Sequence, residues 1–271
     1  MKVLLKIELN RAFKNKWMYI TLLVCSVIVL YDIFKIVVPT RIAMEVYANT
    51  WGYPVPNLYN QWMELNNFST ASKLLHFIFP LIICIPYSMS IYSDVNSRYI
   101  YNIIVRTDKK KYFFSKLVTQ FIVGFSVVMY TLLISFLITA TLLPAGEPFP
   151  GLQYVAGANC ILGSLFYKLP LLVSVLIMIS ESVLFSIIGC ISFTFAYLLG
   201  NGVMVIVSAF TLYFFEEVVM PLVGAKNPML ACSYLIQLTD DSVPMFLMEI
   251  AAILTTIICS YFLRRRKTDE L

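Results

Sequence analysis

Charge and histidine are both scarce in this chain: only 13% of its 271 residues are charged, and His76 is the single histidine. A soluble domain carries about 25% charged residues, so the first shortage excludes an ordinary water-facing fold. The second excludes metal sites and catalytic machinery that need two or more imidazoles. No His-Glu-x-x-His helix, Gly-x-Ser-x-Gly elbow or paired intramembrane aspartate motif occurs, and no Gly-x4-Gly-Lys-Ser/Thr loop is present to cradle nucleotide phosphates. The chain therefore reads as a non-enzyme with no metal and no cofactor of its own. A lone histidine at the outer end of an apolar run is more often an interface residue than a ligand. The six cysteines stand singly, four of them (Cys25, Cys84, Cys190, Cys259) inside apolar runs. Cys160 and Cys232 lie in loops and can pair only if both face an oxidising compartment.

What is present is apolar: 60% hydrophobic residues and a mean hydropathy of +0.82 describe an all-α polytopic membrane protein. No segment between the apolar runs is long enough to fold alone, which makes residues 1–271 one transmembrane domain. Residues 1–16 read as an interfacial amphipathic helix, with Leu5, Leu9, Ala12 and Phe13 on one stripe flanked by Lys6, Arg11 and Lys14. Six spans follow at about 17–38, 73–93, 116–143, 170–199, 203–223 and 245–263. Near the end of the first, Asp32 and Lys35 are spaced to pair along one helix face or to reach the interface. The loop 39–72 carries Trp51 and Trp62, aromatics that suit a bilayer surface. Pro80 and Pro86 can kink the second span.

Fifteen of the 20 Lys and Arg fall on one side of these spans, in the amino end, the loop 94–116 and the carboxyl tail. The positive-inside rule makes that side cytoplasmic and places both termini there, in a multi-pass protein of the cell membrane. The net charge of +5 needs no nucleic acid to explain it.

The loop 94–116 also has an apolar face. Tyr99, Ile100, Ile103 and Ile104 recur at the spacing of one side of a short helix, with Arg98 and Arg106 flanking it. Such a helix can lie on the membrane, fold against its own bundle or dock into a partner's groove.

Inside the spans, Glu181 must face protein or water, because a charge at the bilayer centre costs about 2.5–3.5 kcal/mol on the lenient insertion scale. It reads either as a helix-to-helix hydrogen bond or as part of a translocation path, and Glu216 and Glu217 are further path candidates. Ser182, Ser186 and Cys190 form a small-residue stripe beside Glu181, suited to close helix packing.

This layout resembles the membrane subunit of an ABC exporter of the ABC-2 type. The similarity rests on the basic amino-terminal helix LLKIELNRAFKNKW, the six spans, and the loop between spans two and three. That loop runs from Asp94 through the apolar helix around 100–104 to Arg106, Lys109–Lys111, Tyr112 and Lys116. Where many relatives carry a glycine early in this loop, this chain has Ser97-Arg98.

The resemblance implies half of a translocation path for a hydrophobic or amphipathic substrate, a peptide or lipid-like molecule. Its short length looks like that of bacterial permeases that handle antimicrobial peptides. Implied partners are an ATP-binding cassette subunit, which hydrolyses ATP, and a second permease subunit of the same or related sequence. Contact with the ATP-binding subunit would fall to the loop helix as the coupling element (Arg98, Tyr99, Ile100, Ile103, Ile104, Arg106) and to Glu8 and Arg11 of the first helix. The alternative is a non-transporting membrane sensor or assembly protein that recognises a ligand through its aromatic outer loop.

Overall fold

A computed structural model describes residues 2–44, 46, 55–66, 68–105, 107–148, 162–196, 201–215, 250, 251, 254 and 255. The described residues are mostly helical, with no strand element among them. In chain order the helices are α1 (Lys2–Phe13), α2 (Lys16–Ile42), α3 (Leu58–Gln61), α4 (Thr70–Ile82) and α5 (Ser90–Asn96). They continue with α6 (Tyr99–Ile104), α7 (Lys109–Leu142), α8 (Gly163–Lys168), α9 (Pro170–Phe195) and α10 (Gly202–Phe214).

Among the described residues, three stretches are long and apolar enough to cross a membrane, at Lys16–Ile42, Lys110–Leu142 and Pro170–Phe193, and Thr70–Ile82 and Gly202–Phe214 are shorter apolar helices. The far end of the expected fifth span, most of the sixth, Trp51, Cys160, Cys232, Glu216 and Glu217 lie outside the described residues.

The bundle is built around α7, against which α9, α2 and α1 pack. Its pattern is inverted relative to a soluble protein. Large apolar side chains such as Leu23, Phe34, Leu137, Leu171 and Val203 are exposed, while Thr119, Gln120, Thr131, Ser182, Ser186 and Ser192 are fully buried. Apolar side chains facing outward match a hydrocarbon solvent. The buried hydroxyls of Thr119, Thr131, Ser182 and Ser186 donate back to the carbonyl four residues earlier, so these four are satisfied within their own helices.

The small-residue stripe expected beside Glu181 packs on α7. Gly124 meets Ser186 so closely that an added Cβ would lie 3.3 Å from the Ser186 Cα, Ser182 touches Met129, and Cys190 reaches the Leu117 carbonyl. The two helices therefore run antiparallel.

Several boundaries differ from the sequence expectation, each for a backbone reason. The first apolar helix does not stop before Pro39. It continues to Ile42 through a π-helical turn at Ile33–Val37, where the Val38 N–H bonds to Ile33 O. Pro39 has no N–H and its ring clashes with the carbonyl four residues back, which the wider turn accommodates. Asp32 and Lys35 do not pair: Ser69 Oγ donates to Asp32 at 2.6 Å, and Lys35 turns to the Tyr31 hydroxyl at 2.9 Å.

The second expected span, 73–93, is not one helix but α4, a run of turns and α5. Pro86 would collide with the Ile82 carbonyl, and α4 ends at Ile82. Side chains satisfy the freed carbonyls: Gln120 donates to Ile83 O at 3.0 Å and Asn15 to Pro86 O at 2.9 Å.

The third expected span starts seven residues earlier than 116, because Asp108 caps the first turn and Lys109–Lys111 join α7. Within the aromatic outer loop, Trp62 does not lie at a surface: it is fully buried, edge-on to Phe136 at 5.3 Å.

Candidate functional site

Two clusters of buried charge stand out, and α7 separates them. The first joins α1, the Tyr87–Asp94 segment and the start of α7. Lys116 Nζ lies 2.7 Å from Asp94 Oδ2 and 3.0 Å from Glu8 Oε2, and all three side chains are essentially inaccessible. Arg11 Nη1 donates to Asp94 Oδ1 at 2.6 Å from a half-exposed position. The Tyr87 hydroxyl donates to Glu8 and the Tyr112 hydroxyl to Asp94, both at 2.5 Å. Burial alone would push the Asp94 carboxyl up, but Lys116, Tyr112 and Arg11 outweigh it and hold the group below the ordinary carboxylate range. Arg11 is raised: burial would lower it, and the hydrogen bond to Asp94 prevails.

This cluster organises the loop implicated by the family resemblance. Ile100 is buried, and with Ile103 it packs on Tyr112 and Phe113 at the start of α7. Half of the apolar face thus closes onto its own bundle. Arg98 and Tyr99 point outward, Tyr99 with the Arg11 guanidinium 5.9 Å above its ring. Glu8 is consumed inside the cluster. Arg106 and the Ile104 side chain lie outside what is described. Arg98 adopts φ 57°, the left-handed region, directly after α5.

The second cluster lies farther along α7. Since Glu181 neighbours Ser182, which contacts Met129, its level is about 20 Å from Lys116 at 1.5 Å per residue, most of the way across a hydrocarbon core of about 30 Å. Here His76 of α4 stands between Glu64, from the turn after α3, and Glu181 of α9. His76 Nε2 is 3.2 Å from Glu64 Oε2 and 3.6 Å from Glu181 Oε2, with all three side chains at least 96% buried. His76 is therefore a core residue and not the interface residue its position suggested.

The ring is held by Phe79 and Phe185, at centroid distances of 6.0 and 5.8 Å. Its Nδ1 is 2.8 Å from the Ser72 carbonyl oxygen. A carbonyl only accepts, so Nδ1 carries the hydrogen and Nε2 is turned toward the carboxylates. Yet Nε2, Glu64 Oε1 and Glu181 Oε2 make no directed hydrogen bond. Among the described residues these three form the one group whose ligand-type atoms converge, all within 4.8 Å of one another.

No family model, curated protein or solved structure matches the chain.

Sequence reasoning named Glu181 and His76 separately and missed Glu64. A usable signal was present: a carboxylate deep in one span requires a partner, and the only histidine sits in a neighbouring apolar helix. It also cited Asp94 and Lys116 without seeing that they pair with each other and with Glu8. Tyr87 went unremarked.

Proposed function

We propose that the chain is a non-enzymatic permease subunit of an ATP-driven exporter of the ABC-2 type, forming half of a path for a hydrophobic or amphipathic substrate. In this reading six spans cross the cell membrane with both termini in the cytoplasm. ATP hydrolysis resides in a separate cassette subunit, and a second permease chain completes the path.

The observation that carries the proposal is the Glu8–Lys116–Asp94–Arg11 cluster. It ties three elements a coupling device needs to move together: the amino-terminal helix, the loop between the second and third apolar segments, and one end of a 34-residue helix. A push on the exposed Arg98 and Tyr99 side of the loop is delivered to α1 and α7 through charge-assisted bonds, which are short and directional. Because α7 is continuous from Lys109 to Leu142, displacement of one end tilts the other, where the Trp62 turn packs on Phe136.

Purification of the intact chain from its native membrane tests this. The wild-type chain is expected to carry an ATP-binding cassette protein with it. Arg98→Glu and Tyr99→Asp chains should insert normally and lose that protein, because both side chains are exposed on the outward side of the loop. Retention of the cassette protein by both variants at wild-type levels, or its absence from the wild-type preparation, would overturn the reading.

A further inference from the structure

We infer that Glu64, His76 and Glu181 form a binding site for a divalent transition-metal cation, with Zn2+ as its simplest occupant. The inference rests on the second cluster alone and holds whether or not the chain belongs to an exporter.

Three observations converge. First, the spacing fits. Zn–N and Zn–O bonds of about 2.0–2.2 Å in a tetrahedron put neighbouring ligand atoms about 3.3–3.5 Å apart, and His76 Nε2 lies 3.2 and 3.6 Å from its two carboxylate oxygens.

Second, the tautomer fits. Donation from Nδ1 to the Ser72 carbonyl leaves the Nε2 lone pair as the free function. A backbone carbonyl is one of the usual outer partners that orient a metal-binding imidazole. In the neutral ring with its hydrogen on Nδ1, the Nε2 lone pair is directed at the space shared with Glu64 and Glu181, the arrangement in which an imidazole binds a metal ion.

Third, the unpartnered atoms fit. Buried Glu64 Oε1, His76 Nε2 and Glu181 Oε2 make no directed hydrogen bond, and ligand atoms of the three residues lie within 4.8 Å of one another. A divalent cation between them would give the three side chains a shared partner.

The ligand set also indicates the class of ion. One imidazole and two carboxylates suit borderline divalent ions such as Zn2+ better than Mg2+ or Ca2+, which prefer oxygen alone. The site would clip together three elements far apart in sequence: the turn after α3, the proline-broken α4, and α9. No bond is made or broken in this role beyond coordination.

His76 is the only histidine, so any imidazole seen on a bound metal identifies the site, provided the purification tag contains none. Full-length protein in lipid nanodiscs, stripped with chelator and reloaded with ZnCl2, is expected to hold one Zn2+ per chain. X-ray absorption should show one imidazole nitrogen and oxygen ligands, and a higher melting temperature than in chelator is expected. Glu181→Gln, nearly isosteric with the native side chain, and His76→Ala should abolish the uptake and the shift. The inference fails if the wild-type chain takes up no more Zn2+ than His76→Ala, or if the bound ion shows sulfur ligands and no imidazole. The absorption measurement needs only the wild-type chain and so does not depend on the variants folding.

Discussion

Glu8 and Asp94 face Lys116 and Arg11, two carboxylates against two cations, whereas Glu64 and Glu181 face a single imidazole whose hydrogen is committed elsewhere. Both clusters are buried in an apolar bundle and both join elements distant in sequence, yet one matches its two carboxyl groups with two cationic side chains and the other offers its two a single imidazole. Lys116 is suited to closing its cluster because an ammonium has three rotatable hydrogens and can serve Glu8 and Asp94 together. An imidazole has one fixed in-plane direction at Nε2 and cannot. A cluster with a cation for each carboxyl group behaves as a joint; one with two carboxyl groups around a single imidazole leaves room for an added cation.

Removing the central cation tests the joint most severely. Lys116→Met should destabilise the folded chain by about 3–5 kcal/mol, since Glu8 and Asp94 would remain buried with only the partly exposed Arg11 to answer them. Thermal unfolding in nanodiscs measures this. Adding Glu8→Gln to Lys116→Met should recover much of the loss. A Lys116→Met chain as stable as wild type would mean that water reaches the cluster, and the contrast between the regions would vanish.

Replacing one acidic side chain in each cluster by its amide should affect the two unequally. Asp94→Asn removes the acceptor shared by Lys116, Arg11 and Tyr112 and should destabilise by about 1.5–3 kcal/mol, the range for bonds to charged groups. Glu181→Gln, measured in chelator, replaces a buried carboxyl group whose Oε2 makes no directed hydrogen bond with a nearly isosteric amide, and should leave stability unchanged or raise it by about 1 kcal/mol. The pH dependence carries the same contrast. The folded Asp94 carboxyl lies below its ordinary value of about 3.9, so its contribution is complete above that value and is lost as pH falls through the folded one. Acid unfolding of the wild-type chain should therefore steepen below about pH 4, and Asp94→Asn should flatten that limb. Equal destabilisation by Asp94→Asn and Glu181→Gln would show that both clusters are already balanced.

The two regions also differ in how far the sequence exposes them. Long apolar runs announce α2, α7 and α9, because about 20 apolar residues have few other uses. The pairing of Asp94 with Lys116 spans only 22 positions within a loop already singled out for its polarity. Glu64 was invisible by comparison. It sits among tryptophans and prolines that look like a bilayer surface, and the burial of Trp62 against Phe136 depends on a contact across some 70 residues that no local pattern encodes. Pro86 was legible as a disturbance, but its outcome depended on Gln120 and Asn15 being present to satisfy the exposed carbonyls. Pro39 misled because a proline reads as a helix end, while a π turn allowed the helix to continue.

The smallest expected effect concerns the backbone that carries the first cluster outward. Arg98 occupies φ 57° between α5, which bears Asp94, and α6, which bears Ile100. A side chain in the left-handed region costs about 1–2 kcal/mol, and glycine removes that strain while giving back about 0.5–1 kcal/mol through its more flexible unfolded chain. Arg98→Gly should therefore stabilise the protein by less than about 1 kcal/mol, a shift measurable in thermal scans against wild type. The arginine side chain is exposed, so its presence at a backbone position that favours glycine is not explained by packing. If Arg98→Gly gains stability and also loses the cassette protein in co-purification, the side chain is kept for that contact and the strain is accepted for it. If stability rises and the cassette protein is retained, the outward face of the joint is carried by Tyr99 and Arg11 without it. A fall in stability would mean that the turn does not hold the left-handed conformation, and with it the placement of α6 on Tyr112 and Phe113 would have to be redrawn.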